Sequence, residues 1–152
     1  YGNNDWPGVL SDRLLGGDMV VVCAPTYLKN RERLKGPEDT AKHTLLQWTV
    51  RPNLWREWME AKGVEAPNAW GGPRVEHLYM VMQAALGHLG VALLPRVLVE
   101  DDIQAGRLIV PFDDHYVSAD AYCLVYRPDK RDDRKIQQFR RWMTDESKRD
   151  AS

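Results

Sequence analysis

Glu76 and His77 are the residues best placed for chemistry. They stand side by side near the head of the run from Val75 to Pro95, VEHLYMVMQAALGHLGVALLP. An imidazole can donate to a ligand carboxylate and changes charge near neutral pH, and a neighbouring carboxylate would complete an acid and base pair. Position counts as much as type. The two lie where a strand ends and a helix begins, a junction that leaves backbone N–H groups unpaired and, in α/β sheets, opens toward a cleft. The same pattern fits a plain structural role in which Glu76 caps the helix and His77 packs beside it. The residues by themselves leave both readings open. Leu78 opens the helix and shares that mouth.

Other chemistry has little support. The chain has no phosphate-binding glycine loop ending in Lys and Ser or Thr, no dinucleotide fingerprint, no serine nucleophile elbow and no zincin helix. The histidines His43, His77, His88 and His115 stand far apart, and none has a second ligand at a metal-site spacing. No catalytic residue, metal site or cofactor is therefore assigned. The six tryptophans divide by context. Trp55 and Trp58 lie at helical spacing and read as core, whereas Trp48 ends a strand-like run, where a large ring can line a pocket.

The elements that must position these groups alternate. Val9 to Leu15 and Met19 to Ala24 read as strands separated by Gly16 and Gly17, and Pro25 introduces a short helical turn from Thr26 to Asn30. Pro37, Glu38 and Asp39 after Gly36 start a brief helix. Thr44 to Thr49 follows as a strand, and Pro52 opens a helix with Leu54, Trp55, Trp58, Met59 and Lys62 on one face, ended by Gly63. A loop from Val64 to Gly72 leads to a strand ending at Val75. The next helix carries apolar groups on every side, which requires cover all round. Val91 to Leu94 then forms a strand buried on both faces.

Beyond Pro95, Leu98, Val99 and Ile103 give a helix its apolar face, Gly106 caps it, and Leu108 to Val110 is a short strand. Asp113 to Ser118 reads as a polar loop and Ala121 to Tyr126 as the last strand. Ile136, Phe139 and Met143 mark a stripe on the final helix. Alternation of this kind predicts an α/β fold with a mostly parallel sheet flanked by helices.

Composition excludes further classes. With 152 residues the chain suits one domain or a little more, and no apolar run approaches the roughly 18 residues of a membrane span. A net charge of −1 argues against a grip on nucleic acid phosphates by this chain itself. The basic residues after Arg127 are interleaved with Asp129, Asp132, Asp133, Asp145 and Glu146, as on a solvated helix face. Cys23 and Cys123 sit inside apolar runs and read as reduced thiols of a cytoplasmic protein.

Five stretches, in order, carry a resemblance: YGNNDWPG at the start, LLGGDMVVVCAPTYL, GPEDTAKHTLLQW, AALGHLGVALLPRVLVEDDIQAGRLIVPF, and AYCLVYRP before the last helix. Together they span nearly the whole chain. It resembles the effector-binding domain of LysR-type transcriptional regulators, in the branch that includes the glycine-cleavage and β-lactamase regulators. The resemblance implies a fold like the type 2 periplasmic binding proteins, with two α/β subdomains joined by crossing strands and a small effector between them. It also implies an N-terminally truncated chain, with the winged helix-turn-helix and the first half of subdomain one absent. Residues 1–17 would belong to the first subdomain and a crossover strand, 18–118 to the complete second subdomain, and 119–152 to the returning strand and last helix.

Carried over residue by residue, the ligand-contacting turn corresponds to Glu76, His77 and Leu78, where relatives often have Ser or Thr. Tyr122 matches a cleft-facing position on the returning strand, and Trp48 and Trp6 are looser ligand-binding candidates. The function implied is effector sensing without catalysis, with a small-molecule partner of carboxylate or aromatic character, a homo-oligomeric state, no membrane, and DNA reached only through the absent N-terminal domain. Two other classes stay in view: an oligomerisation module with a vestigial cleft, and a small α/β enzyme using Glu76 and His77.

Overall fold

The computed structural model describes residues 1–15, 17–29, 31–65 and 69–149. The expected break at Gly16, the end of the turn at Asn30 and the middle of the 64–72 loop lie outside the described residues. The chain divides into two compact units, Tyr1–Asp18 with Val117–Ser152, and Met19–Tyr116.

In the first unit, β1 (Leu10–Leu15) pairs antiparallel with β7 (Tyr122–Tyr126), Leu10 opposite Tyr126 and Arg13 opposite Cys123, with an irregularity between Arg13 and Leu15. Gly2 and Ala121 exchange both backbone hydrogen bonds, at 3.0 and 2.8 Å. The last helix, α4 (Arg134–Arg149), packs on β1. Arg140 holds it there through two bonds to the Asp12 carboxylate, at 2.6 and 2.9 Å, while its guanidinium lies 4.4 Å above the Tyr126 ring. A bidentate pair with a stacked aromatic uses the planar geometry that distinguishes Arg from Lys. Of the expected stripe, Ile136 and Met143 are half-buried and Phe139 is exposed beside Trp142.

The second unit is built on β2 (Asp18–Val22), whose uninterrupted apolar sequence is explained by burial on both faces. Met19 and Val21 point into one core with Leu45, Trp55, Trp58 and Leu93. Val20 and Val22 point into another with Val81, Ala85, Leu94 and Val99. β2 lies between β5 (Ala92–Pro95) and β6 (Tyr116–Val117). The two-residue β6 falls inside the expected polar loop. Cys23 bridges Ile109. Three helices supply the cover: α1 (Leu54–Ala61) for the first core, α2 (Leu78–Leu86) and α3 (Arg96–Gln104) for the second.

Strand direction is more mixed than a mostly parallel sheet. β3 (Gln47–Trp48) and β4 (Arg74–Val75) run parallel, as do Leu45 and Val91, but β2 meets β5 antiparallel with Met19 opposite Pro95. An apolar run reports burial on both faces and carries no information on direction, which connectivity decides. Within the α/β class, this is the refinement the structure makes.

The α1 face is as expected. Trp55 and Trp58 meet edge to face with centroids 5.6 Å apart, and Gly63 terminates the helix in the left-handed region at φ +68°. Trp58 Nε1 donates to Asp114 Oδ2 at 2.6 Å, and Lys62 pairs with the other carboxylate oxygen of Asp114. α2 departs from expectation. Val81 and Ala85 are buried, but Tyr79 is 66% exposed and Met80 50%. One side of the helix packs on the sheet, and no described residue of the chain covers the other.

Candidate functional site

Three backbone carbonyls place the turn before α2. Pro73 O accepts from Gln47 N at 2.8 Å, Val75 O from Thr49 N at 3.0 Å, and Glu76 O from the indole Nε1 of Trp48 at 2.9 Å. The Trp48 side chain thus continues the β3 and β4 pairing one step beyond the backbone ladder. His77 follows as the N-cap residue of α2, extended at φ −97° and ψ 131°, and its carbonyl accepts from Met80 and Val81 at 2.9 and 3.2 Å. Its side chain makes no capping bond. Met80 N is thereby engaged, and the amides of Leu78 and Tyr79 are left to water or to an incoming acceptor, at the positive end of the helix dipole.

The loop leading into this turn is clamped from below. Gln47, 4% exposed, directs its amide nitrogen at Ala69 O (3.0 Å) and Gly71 O (2.9 Å), with Leu45 O more distant at 3.4 Å. Two hydrogens serve the two nearer carbonyls. Gly72 sits at φ +100°, and a Cβ there would lie 2.2 Å from Leu45 O, so only glycine permits this approach. Gln47 was not singled out from sequence. Its signal was present all the same: a lone amide inside the apolar stretch Leu45, Leu46, Gln47, Trp48 requires buried partners.

Trp48, Glu76, His77 and Leu78 therefore come together in the second unit, with Glu76 and His77 exposed and Trp48 and Leu78 half-buried. Tyr122 and Trp6 belong to the first unit. There the two flank the Gly2–Ala121 bridge: Trp6 packs its ring on Gly2, where a Cβ would meet Cζ2 at 2.8 Å, and Tyr122 follows Ala121. The half-buried Tyr122 ring meets Tyr1 edge to face with centroids 5.0 Å apart. Burial, and then Tyr1, hold its phenol above the ordinary tyrosine range. Tyr1, whose role only this stacking reveals, had no sequence signal beyond its aromaticity.

Among the described residues no three His, Cys, Asp or Glu side chains are grouped to hold a metal ion. Both cysteines are free thiols, and burial pushes Cys23 up to about 11. A groove of about 660 Å³ lies between β1 and α4, lined by Asp12, Arg13, Arg140 and Arg141 among others. It contains none of the sequence-derived site residues, and its best-held cation, Arg140, is already paired with Asp12.

A buried clamp beneath an exposed, uncapped helix start leaves hydrogen-bond donors open to a small polar acceptor, and among the described residues no nucleophile is positioned beside it. Comparison with known proteins defines the lineage. The LysR substrate-binding domain model matches residues 1–148. The chain belongs to the LysR substrate-binding domain family. It is 39% identical over 143 residues to the glycine cleavage system transcriptional activator of Escherichia coli (strain K12), covering 94% of this chain and 47% of that protein. It is 33% identical over 147 residues to the transcriptional activator AmpR of Rhodobacter capsulatus, 97% of this chain and 49% of that one. The chain thus spans about half the length of the curated relatives it matches.

The AmpR effector-binding domain from Citrobacter freundii shares the fold. Its TM-score is 0.82 at 21% identity, covering 97% of this chain and 72% of that one. The periplasmic-binding-protein-like α/β architecture expected from the sequence is the one found. Family and fold thus agree on a LysR substrate-binding domain.

Proposed function

We propose that this LysR-family domain binds a small effector at the turn formed by Glu76, His77 and Leu78, and that binding is read out as a change in the arrangement of a regulator on DNA. The observation carrying this reading is the uncapped N-terminus of α2, held by Trp48 and by the Gln47 clamp and flanked by an imidazole free of any capping bond. His77 and the amides of Leu78 and Tyr79 suit a carboxylate, and the half-buried Trp48 gives the same mouth an apolar wall. The effector acts by binding one arrangement better than another. No catalytic step is assigned, and DNA contact belongs to a winged helix-turn-helix outside this chain, in a cytoplasmic homo-oligomer.

The test is a thermal-shift panel of small carboxylates and aromatic acids, followed by calorimetry on any compound that raises the melting temperature. His77→Ala is expected to weaken binding at least tenfold with the melting temperature of the free protein unchanged. Equal affinity removes His77 from the site.

One observation favours the second reading, an oligomerisation module with a vestigial cleft. Tyr79 and Met80 on α2 and Leu89 just beyond it are all at least half exposed, and large apolar groups in such a row are normally covered by another protein surface. Size-exclusion chromatography with Tyr79→Ser and Met80→Ser separates the readings. An oligomer that these changes dissolve, with no hit in the thermal-shift panel, supports the module without a sensor.

A further inference from the structure

His43 has no part in the site described above, and its surroundings are unusual. It is 8% exposed, and neither ring nitrogen has a hydrogen-bond partner among the described residues. A neutral imidazole carries one N–H donor and one acceptor, and burying both without partners is costly and uncommon. His77, His88 and His115, by contrast, are exposed. The His43 backbone closes the 3-10 turn Pro37–Lys42 by donating to Thr40 O at 3.0 Å, and its ring lies against Tyr27 with centroids 5.8 Å apart.

Tyr27 connects this ring to the sheet. Its hydroxyl accepts from Thr44 N at 3.1 Å, Thr44 O accepts from Val91 N at 2.8 Å, and Val91 O accepts from Leu46 N at 2.8 Å. His43 is therefore the residue immediately before the segment that pairs with Val91, just ahead of β5, and leads into β3.

We propose that His43 is an acid-sensitive latch of the second unit: the unit holds together around a neutral, unpartnered imidazole, and protonation drives that ring toward water and loosens the Tyr27–Thr44 contact. The charged groups acting on the ring come from the loop before the 3-10 turn and from the turn itself. Arg31 and Lys42 oppose an imidazolium, while Asp39 and Glu32 favour one. The two acids are themselves engaged with Lys42, at 3.0 and 3.3 Å. Burial is the largest influence and lies on the side of the neutral ring, so the folded unit binds this proton less readily than the unfolded chain does. Stability is then unaffected above the ordinary histidine range near 6.5. It falls as the pH drops below that value, by up to about tenfold in the unfolding equilibrium per pH unit from this one group. The latch does not depend on where the effector binds.

The experiment is urea unfolding of the protein and of His43→Phe at several pH values between 7.5 and 5, alongside an NMR titration of the His43 ring in the unaltered protein. Both proteins share every other titrating group, so those contributions cancel in the ratio of their unfolding constants. Supporting results are a ratio that moves in favour of His43→Phe by severalfold or more per pH unit below 6.5, and a ring that titrates well below the unfolded value. Parallel pH profiles, or a His43 ring titrating at or above 6.5, overturn the proposal. If His43→Phe does not fold, the ring titration decides, read with the Thr44 amide: a low midpoint shared by both signals supports the latch, and a Thr44 amide indifferent to the His43 titration overturns it.

Discussion

Replacing Gln47 by Leu removes one amide and keeps the volume nearly constant, so the effect is electrostatic rather than a cavity. The two hydrogen bonds lost are those to Ala69 O and Gly71 O. Each is worth about 1 kcal/mol net, and a carbonyl left buried without a partner costs about 1–3 kcal/mol more. The two acceptors differ in what they can do next. Ala69 is fully buried, so its carbonyl is stranded, whereas Gly71 is exposed and regains water. The expected loss is about 3–5 kcal/mol, a shift of roughly two to three and a half decades in the unfolding constant, read as a lower urea midpoint with an unchanged slope. The backbone bond from Gln47 N to Pro73 O survives the substitution, so β3 and β4 remain paired. Hydrogen exchange should accelerate in residues 69–72 ahead of Arg74 and Val75. Ligand binding at Glu76 and His77 should weaken with it, because the turn loses its support while keeping its own side chains. A Gln47→Leu protein within 0.5 kcal/mol of the original, with unaltered exchange in the loop, refutes the clamp.

Three further outcomes follow from the same structure. Gly72→Ala places a methyl group against Leu45 O at a backbone angle that L residues avoid, and should lower stability by on the order of 3 kcal/mol in thermal or urea unfolding. Cys23, fully buried and pushed up to about 11, should react with a thiol reagent at pH 8 orders of magnitude more slowly than Cys123. Because its folded value lies above the unfolded one, its contribution to stability is intact below about pH 9 and is lost as the pH rises from there toward 11, which alkaline unfolding of Cys23→Ala against the parent would expose.

How much of this was legible in the chain depends on the range of the interaction concerned. Local signals were read directly. The apolar runs of β2 and β5 mark strands buried on both faces, Gly63 ends α1, and Glu76 and His77 stand between a strand and a helix. Each depends on neighbours within a few residues, where periodicity and backbone preference act. The family, too, was visible, because the order of five stretches is a property of the chain itself. Three features needed the fold. The antiparallel meeting of β2 with β5, the exposed side of α2 and the clamp from Gln47 to Ala69 and Gly71 join positions far apart in sequence. The composition of α2 called for cover on every side, and the structure shows which side lacks it. Sequence determined which residues must be buried and where the chain must turn, since those follow from local chemistry. Which carbonyl an amide meets, and which histidine is left without a partner, were decided only when distant segments packed together.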